Sequence, residues 1–72
     1  MQLDTEKLQI EMARQELNPR DLAKKAGVAA STIYRLMNGK SIPTTKHFGR
    51  LSKALGIDVT ELLSDTKKEQ TH

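Results

Sequence analysis

The sequence predicts an all-α domain, a compact bundle of five short helices. Apolar residues recur at helical spacing through most of residues 4–63, and residues that begin or end helices separate five such segments. No segment alternates apolar and polar residues as a half-buried strand does. A chain of 72 residues holds one small core. We expect that core in residues 1–64, followed by a polar, disordered tail at 65–72.

The first helix is predicted to begin after Asp4, a suitable N-cap, and to run to about Leu17. Ile10 lies off its apolar face and is expected to be exposed. The apolar face itself consists of Leu8, Met12 and Ala13.

The second helix is predicted to begin at Asn18-Pro19. Asn is a preferred N-cap, and Pro fits the first helical position because its missing N–H loses no bond there. Asp21 complements the helix dipole, and Gly27 ends the helix with a left-handed residue. The buried stripe consists of Leu22, Ala23 and Ala26.

The third helix is predicted to open at Val28 and to run to Met37 or Asn38. It ends at Asn38-Gly39, since Asn and Gly tolerate positive φ best. Its inward residues are Ile33 and Leu36.

Two further helices follow a loop at residues 40–43. Thr44 is a suitable cap for a fourth helix that ends at Gly56. Gly49 in its middle costs about 0.5–1 kcal/mol relative to Ala, so we expect either close packing or a soft spot there. Asp58 and Glu61 have capping-box spacing and introduce a short fifth helix. The apolar residues of these two helices are Phe48, Leu51, Ala54, Leu55, Val59, Leu62 and Leu63.

Charge is distributed unevenly along the chain. Residues 24–53 hold seven Lys or Arg and no Asp or Glu, whereas residues 1–23 and 54–72 each carry a net charge of −2. The second and third predicted helices, joined at Gly27, overlap this basic block. Two short helices joined by a tight turn in a basic segment are typical of a DNA-reading helix-turn-helix.

Composition argues against several other classes of function. The chain has no cysteine, which excludes disulfides and thiolate metal sites and favours a reducing cytoplasm. Neither a signal peptide nor a membrane span is apparent. His47 has no partner at metal-ligand spacing and none that would form a catalytic site with Ser52, so we expect no enzyme, metal or cofactor. The scarcity of aromatic residues favours duplex DNA over RNA.

A set of short anchors recurs along residues 22–63: Leu22-Ala23, Ala26-Gly27-Val28, Ser31-Thr32-Ile33, Leu36, Asn38-Gly39, Pro43, Leu51, Ala54-Leu55-Gly56 and Glu61-Leu62-Leu63. No single anchor is specific, but their joint spacing resembles the phage repressor and Cro family of helix-turn-helix proteins, often called Xre-type. The resemblance covers about residues 8–63. It implies a lambda-repressor-like domain whose third helix enters the major groove while the second lies across the backbone.

The resemblance also implies which residues touch DNA. Bases would be read by Ala30, Ser31 and Arg35, with Tyr34 beside them. Arg35 suits guanine O6 and N7 as a two-pronged donor, worth about 1–3 kcal/mol of discrimination. The residues implied to contact the DNA backbone are Asn18, Arg20, Thr32, Asn38, Lys40, Ser41, Thr44 and Lys46.

The chain departs from the family pattern at three places. Pro19 stands where many relatives have Gln, which shifts phosphate binding toward Arg20 and main-chain donors. Ala29 stands where Ser or Thr usually caps the third helix. Met12 and Met37 replace an Arg–Glu pair that relatives often bury, and we expect these two flexible apolar side chains to touch.

The leading prediction is a sequence-specific regulator of transcription, a small repressor that binds an inverted-repeat operator as a homodimer. In relatives the dimer surface often involves the positions of Ile57, Val59 and Leu63, which suit the core equally well. One alternative is an antitoxin-like module that binds a small protein partner and binds DNA only secondarily. Another is an accessory DNA-binding domain of a larger enzyme.

Several of the singled-out residues also have purely structural interpretations. The basic block suits a solvated face, above all at Lys24 and Lys25. Arg35 would instead pair with a carboxylate of its own fold, although the nearby sequence offers none. Tyr34 fits a partly buried packing position nearly as well as a backbone contact, and Asn38 is first a helix-ending residue.

Overall fold

The computed structural model describes residues 2–64, and the tail predicted at 65–72 lies outside them. These residues form four α-helices and one 3-10 turn, and their one β-type pairing is an isolated antiparallel bridge between Leu3 and Leu63. The all-α fold class is therefore confirmed. In chain order the elements are α1 (Thr5–Arg14), α2 (Pro19–Ala26), α3 (Ala30–Met37), α4 (Thr45–Leu55) and the 3-10 turn (Val59–Leu62).

The buried face of α1 is narrower than predicted. Asp4 caps the helix as expected, because its carboxylate accepts two N–H groups of the first turn at 3.1 Å. Leu8 and Met12 are buried, and Ile10 is 51% exposed as predicted. Ala13 is exposed, so its predicted place on the buried face is wrong. One residue beyond Met12, the helix has turned by about 100° and carries Ala13 toward solvent.

α1 ends at Arg14, three residues before the predicted boundary at Leu17. Glu16 has a φ of +57°, in the left-handed region, and the Leu17 N–H donates to the Met12 carbonyl at 2.8 Å. This Schellman arrangement closes the last carbonyls of the helix. The other three α-helices end in the same arrangement with glycine as the left-handed residue, namely Gly27, Gly39 and Gly56.

The predicted start of α2, with Asn18 as N-cap and Pro19 at the first helical position, is confirmed, and a capping box that was not predicted adds to it. The Asn18 side chain accepts the Asp21 N–H at 2.7 Å, and the Asp21 carboxylate accepts the Asn18 N–H at 3.2 Å. This reciprocal capping box, with Pro19 at the first helical position, fixes where the helix begins. The predicted buried stripe is also confirmed for Leu22, Ala23 and Ala26.

α3 begins at Ala30, two residues after the predicted opening at Val28. The Val28 N–H takes part in the closure of α2, and Ala29 has an extended backbone with φ −71° and ψ 146°, so the helical conformation begins only after it. Ala29 is the N-cap and offers no side-chain acceptor to the first turn. The predicted inward residues are confirmed as buried, Ile33 and Leu36.

α4 begins with a capping box that involves a histidine. Thr44 accepts the His47 N–H through its hydroxyl oxygen, and His47 accepts the Thr44 N–H through Nδ1, each at 3.2 Å. Near the middle of the helix, nothing lies within 4 Å of the position that a Cβ on Gly49 would occupy. The expectation of close packing at Gly49 is therefore wrong, and the soft-spot interpretation stays.

The predicted fifth helix is a single 3-10 turn. Asp58 caps it by accepting the Thr60 N–H at 3.1 Å, and the Glu61 N–H bonds to the Asp58 carbonyl at 2.9 Å. The predicted capping box does not form, because the tighter i→i+3 bonding of a four-residue turn uses the Glu61 N–H for the backbone.

One hydrophobic core joins all five elements. Met37 packs against this core from a partly buried position, while Met12 lies within it, and their direct contact stays a prediction. Polar contacts between distant segments also close the bundle: the Gln15 amide donates to the Leu55 carbonyl at 2.7 Å, and the Asp4 N–H donates to the Leu62 carbonyl at 2.9 Å. The buried core residues are Leu8, Met12, Leu22, Ala23, Ala26, Ile33, Leu36, Phe48, Leu51, Leu55 and Leu62.

Replacing Glu16 with glycine should stabilise the fold. A left-handed L-residue costs about 1–2 kcal/mol, and glycine avoids this at an entropic cost of about 0.5–1 kcal/mol. We expect Glu16→Gly to raise the melting temperature by about 2–8 °C in thermal unfolding. The control is Glu16→Ala, which removes the same charge but keeps the strain. Equal melting temperatures for the two variants would contradict the assignment of a strained, left-handed backbone to Glu16.

Giving α3 a side-chain cap should also stabilise the fold. A serine at position 29 would accept the Ser31 N–H, which has no acceptor within residues 2–64, for a gain of about 1 kcal/mol. We expect Ala29→Ser to raise the urea midpoint without changing the slope of the transition. Ala29→Val adds bulk without an acceptor and should gain nothing. The helix boundary would be in error if the serine variant were no more stable than the valine variant.

Candidate nucleic-acid interface

α2 and α3 pack as a pair across a short connection. They pack directly on each other, and α2 packs on α4 as well. The connection between them is only Gly27, Val28 and Ala29, and Gly27 has a φ of +73°. A Cβ at Gly27 would also lie 3.2 Å from the Arg50 guanidinium. The positive φ therefore favours glycine at this position, and a Cβ would in addition require the Arg50 side chain to shift by a few tenths of an ångström.

α3 presents most of the predicted base-reading residues to solvent. Ser31 and Arg35 are exposed, and Tyr34 is 46% exposed. Ala30 differs from them, since it is partly buried and packs against the core. Its methyl group is therefore only partly accessible, whereas the other three share the face of α3 that points away from the bundle.

Arg35 has no competing partner within residues 2–64. No hydrogen bond or ion pair to its guanidinium occurs there, and the one surface ion pair joins Arg14 and Glu11 at 3.2 Å in α1. No carboxylate in the described part of the chain therefore pairs with Arg35, as an intramolecular salt bridge would require. All five of its N–H donors stay available to an external acceptor.

The residues predicted to contact the DNA backbone differ in accessibility. Thr32 and Ser41 are partly buried, and Asn38 carries no left-handed strain because Gly39 takes that conformation. Asn18 and Thr44 use their side-chain oxygens as helix caps, which leaves the Asn18 amide N–H₂ and the Thr44 hydroxyl hydrogen free to donate. The exposed members of the set are Asn18, Arg20, Asn38, Lys40, Thr44 and Lys46.

The start of α2 has fewer unbonded N–H groups available to an anion than an uncapped helix N-terminus has. Pro19 has no N–H, the Asp21 N–H is taken by Asn18, and the Leu22 N–H bonds to the Asn18 carbonyl at 3.0 Å. Within the described residues only the Arg20 N–H of this first turn is left unbonded, beside the exposed Arg20 side chain. A phosphate here would meet one main-chain donor and one guanidinium, next to the Asp21 carboxylate.

The sequence matches a family model described as helix-turn-helix over residues 8–62, which includes all four α-helices except the first turn of α1. The chain belongs to the Cro/C1-type, Xre-like helix-turn-helix family. It is therefore a DNA-binding helix-turn-helix protein of a regulatory family. No curated protein matches the chain closely enough to count as a relative.

The helix-turn-helix domain carries a second basic feature that the sequence reasoning missed. A shallow groove of about 460 Å³ runs between the end of α2 and the side of α4. Arg50 lies in it, with Nη1 3.5 Å from the Ala26 carbonyl oxygen. The spacing of Lys46, Arg50 and Lys53 on one helical face was the available signal. The full lining of this groove is Lys25, Ala26, Lys46, Gly49, Arg50 and Lys53.

Other kinds of site find no support in the described part of this helix-turn-helix domain. Residues 2–64 contain no cluster of three His, Cys, Asp or Glu side chains able to hold a metal ion. Within the same range no helix has the length and hydrophobicity that a membrane crossing requires. His47, the histidine in this range, uses Nδ1 to cap α4 and lies beside no nucleophile–base pair.

Proposed function

We propose that this protein is a sequence-specific, double-stranded DNA-binding regulator of transcription that acts as a repressor. The observation that carries the proposal is the outer face of α3, where Arg35 is exposed and free of any carboxylate in residues 2–64. A guanidinium in this position is matched to the O6 and N7 acceptors of guanine in the major groove. Ser31 and Tyr34 lie beside it, and Ala30 offers part of its methyl group to a thymine methyl.

Backbone contacts would hold α3 in register on the duplex. The exposed donors lie at the start of α2 and from the end of α3 to the start of α4, so they flank the reading helix on both sides in sequence. Phosphate contacts position a protein on DNA without carrying sequence information. Lys40 and Lys46 supply charge for this purpose, while Asn18, Asn38 and Thr44 supply neutral donors.

A homodimer is the expected binding form. One reading helix contacts only a few base pairs, so two copies related by a two-fold axis would read an inverted repeat with half-sites about one helical turn apart. Ile57, Val59 and Leu63 are partly buried against the core and leave part of their apolar surface accessible. We assign the dimer contact to this segment.

Repression would require nothing beyond binding. A dimer seated on an operator blocks access to the same DNA, and no catalytic step, metal or cofactor enters this mechanism. We place the protein in the cytoplasm, where duplex DNA is its partner. An antitoxin-like role would instead show itself as binding to a small protein with DNA binding that ignores sequence.

Selection from random duplex DNA by the purified protein tests this proposal directly. We expect enrichment of an inverted repeat at physiological salt, with half-sites about 10 base pairs apart from centre to centre. Retention of DNA without any consensus would contradict sequence reading by α3 and would favour the protein-partner alternative.

Arg35→Ala and Lys40→Ala should affect binding in different ways. We expect Arg35→Ala to lose about 1–3 kcal/mol of discrimination at one base step, because its bidentate contact is removed. Lys40→Ala should weaken binding to all sequences alike and reduce the slope of log K against log salt by about 1. Competition binding with operator and mutated operator at several salt concentrations separates the two effects.

The matched control is Arg14→Ala, which removes an exposed arginine from α1 and breaks only a surface ion pair. It should leave discrimination and salt slope unchanged. An Arg35→Ala variant that weakened all duplexes equally would place Arg35 on the backbone instead of on a base.

A further inference from the structure

About half of the basic block does not belong to the predicted reading surface. Arg35, Lys40 and Lys46 lie on α3, on the following loop and at the start of α4. The remaining cations lie on the second half of α2 and along α4, namely Lys24, Lys25, Arg50 and Lys53. Three of these four line the groove between α2 and α4, so the charge is concentrated there instead of being spread as a solvated face.

The groove carries positive charge that no lining carboxylate neutralises. Four cationic side chains and no carboxylate line it. Lys46, Arg50 and Lys53 follow one face of α4 over about 10 Å of helix length. The contact of Arg50 with the Ala26 carbonyl holds that guanidinium toward the end of α2. The four like charges repel one another, and an anion with several charges along its length would offset that repulsion if it lay across the groove.

The chemistry of the groove favours a phosphate backbone over an acidic protein. Its uncharged lining residues are Ala26 and Gly49, so it offers no aromatic or large apolar side chain. Protein interfaces usually depend on such anchors. Lysines act toward phosphates as point charges and need no exact geometry. The groove is also continuous with the proposed DNA surface, because Lys46 belongs to both.

We propose that this groove binds backbone phosphates of the duplex that flanks the bases read by α3. The inference rests on the proposed function, since it assumes that α3 seats the protein on duplex DNA. From Lys46, which contacts the backbone at the edge of the half-site, the DNA continues along α4 toward Arg50 and Lys53, with Lys25 on the opposite wall. The groove reads no bases. It adds affinity and salt dependence that require DNA beyond the recognised sequence.

Two duplexes carrying the selected operator test this inference. The short duplex ends at the outermost enriched base pair, and the long duplex extends it by about one helical turn, roughly 10 base pairs, on each side. Dissociation constants are measured for both across a range of salt concentrations. The variants are Lys25→Gln and Lys53→Gln, and the control is Lys24→Gln, a neighbouring exposed lysine on α2 that does not line the groove.

We expect the wild-type protein to bind the long duplex more tightly and with a steeper salt slope. Each groove variant should lower the slope on the long duplex by about 0.9, the value for one phosphate contact. Neither variant should change the dissociation constant for the short duplex. Lys24→Gln should have the same effect on binding to the short and the long duplex. The inference is overturned if Lys25→Gln and Lys53→Gln match Lys24→Gln on the long duplex, or if they weaken both duplexes equally.

Two further outcomes separate the inference from the proposed function. If the wild-type protein does not bind the short duplex, the proposed function itself has failed. If it binds the short duplex and gains nothing from the flanks, only the groove inference has failed. Loss of poly-glutamate binding in the groove variants, with DNA binding unchanged, would assign the groove to an acidic protein instead.

Discussion

The contact between α2 and α3 across Gly27 is the constraint on which the rest of this domain depends. The buried residues of both helices belong to a single core, and α4 packs on α2 as well. With two inward residues on α3, Ile33 and Leu36, packing fixes one side of this eight-residue helix and leaves the other to solvent. The exposure of Arg35 is thus a consequence of core packing. A helix this short would not be stable alone and owes its direction to its neighbours.

The charge distribution places a cost on the free protein that DNA would remove. Seven cations in residues 24–53 have no acidic residue in the same segment, and the carboxylates of residues 2–64 lie in or next to α1, at the start of α2, and in or next to the 3-10 turn. Repulsion among these exposed cations, which solvent and salt screen, opposes the folded state of a domain that is only marginally stable. Binding to a polyanion relieves it and stabilises the fold by mass action. Stability and binding are in this way coupled through the same side chains.

Much of the fold followed from local signals in the sequence. The N-cap at Asn18 followed by Pro19, the glycine stops at Gly27 and Gly56, and the core positions of α2 and α3 each rest on a few adjacent residues, and all are confirmed. The features that were not predicted depend on backbone conformations that the residue type does not indicate. Glu16 adopts a left-handed backbone that is usually left to glycine, so the end of α1 was set too late.

The candidate nucleic-acid interface could also be predicted in part from the sequence. Exposure of Ser31, Tyr34 and Arg35 follows from the helical period once Ile33 and Leu36 are taken as buried. The partial burial of Ala30 depends on how α3 sits on the core, and the basic groove depends on which part of α4 meets the end of α2. Neither of these is a property of one helix, so neither could be obtained from spacing alone.

In the proposed mode of binding, the outer face of α3 contacts DNA, whereas α1 and the 3-10 turn do not. Titration of ¹⁵N-labelled protein with an operator duplex, followed by amide chemical shifts, tests it most directly. We expect the largest changes on residues 30–38, with smaller changes at Asn18, Arg20 and the start of α4. Changes concentrated on α1, with residues 30–38 unaffected, would contradict it.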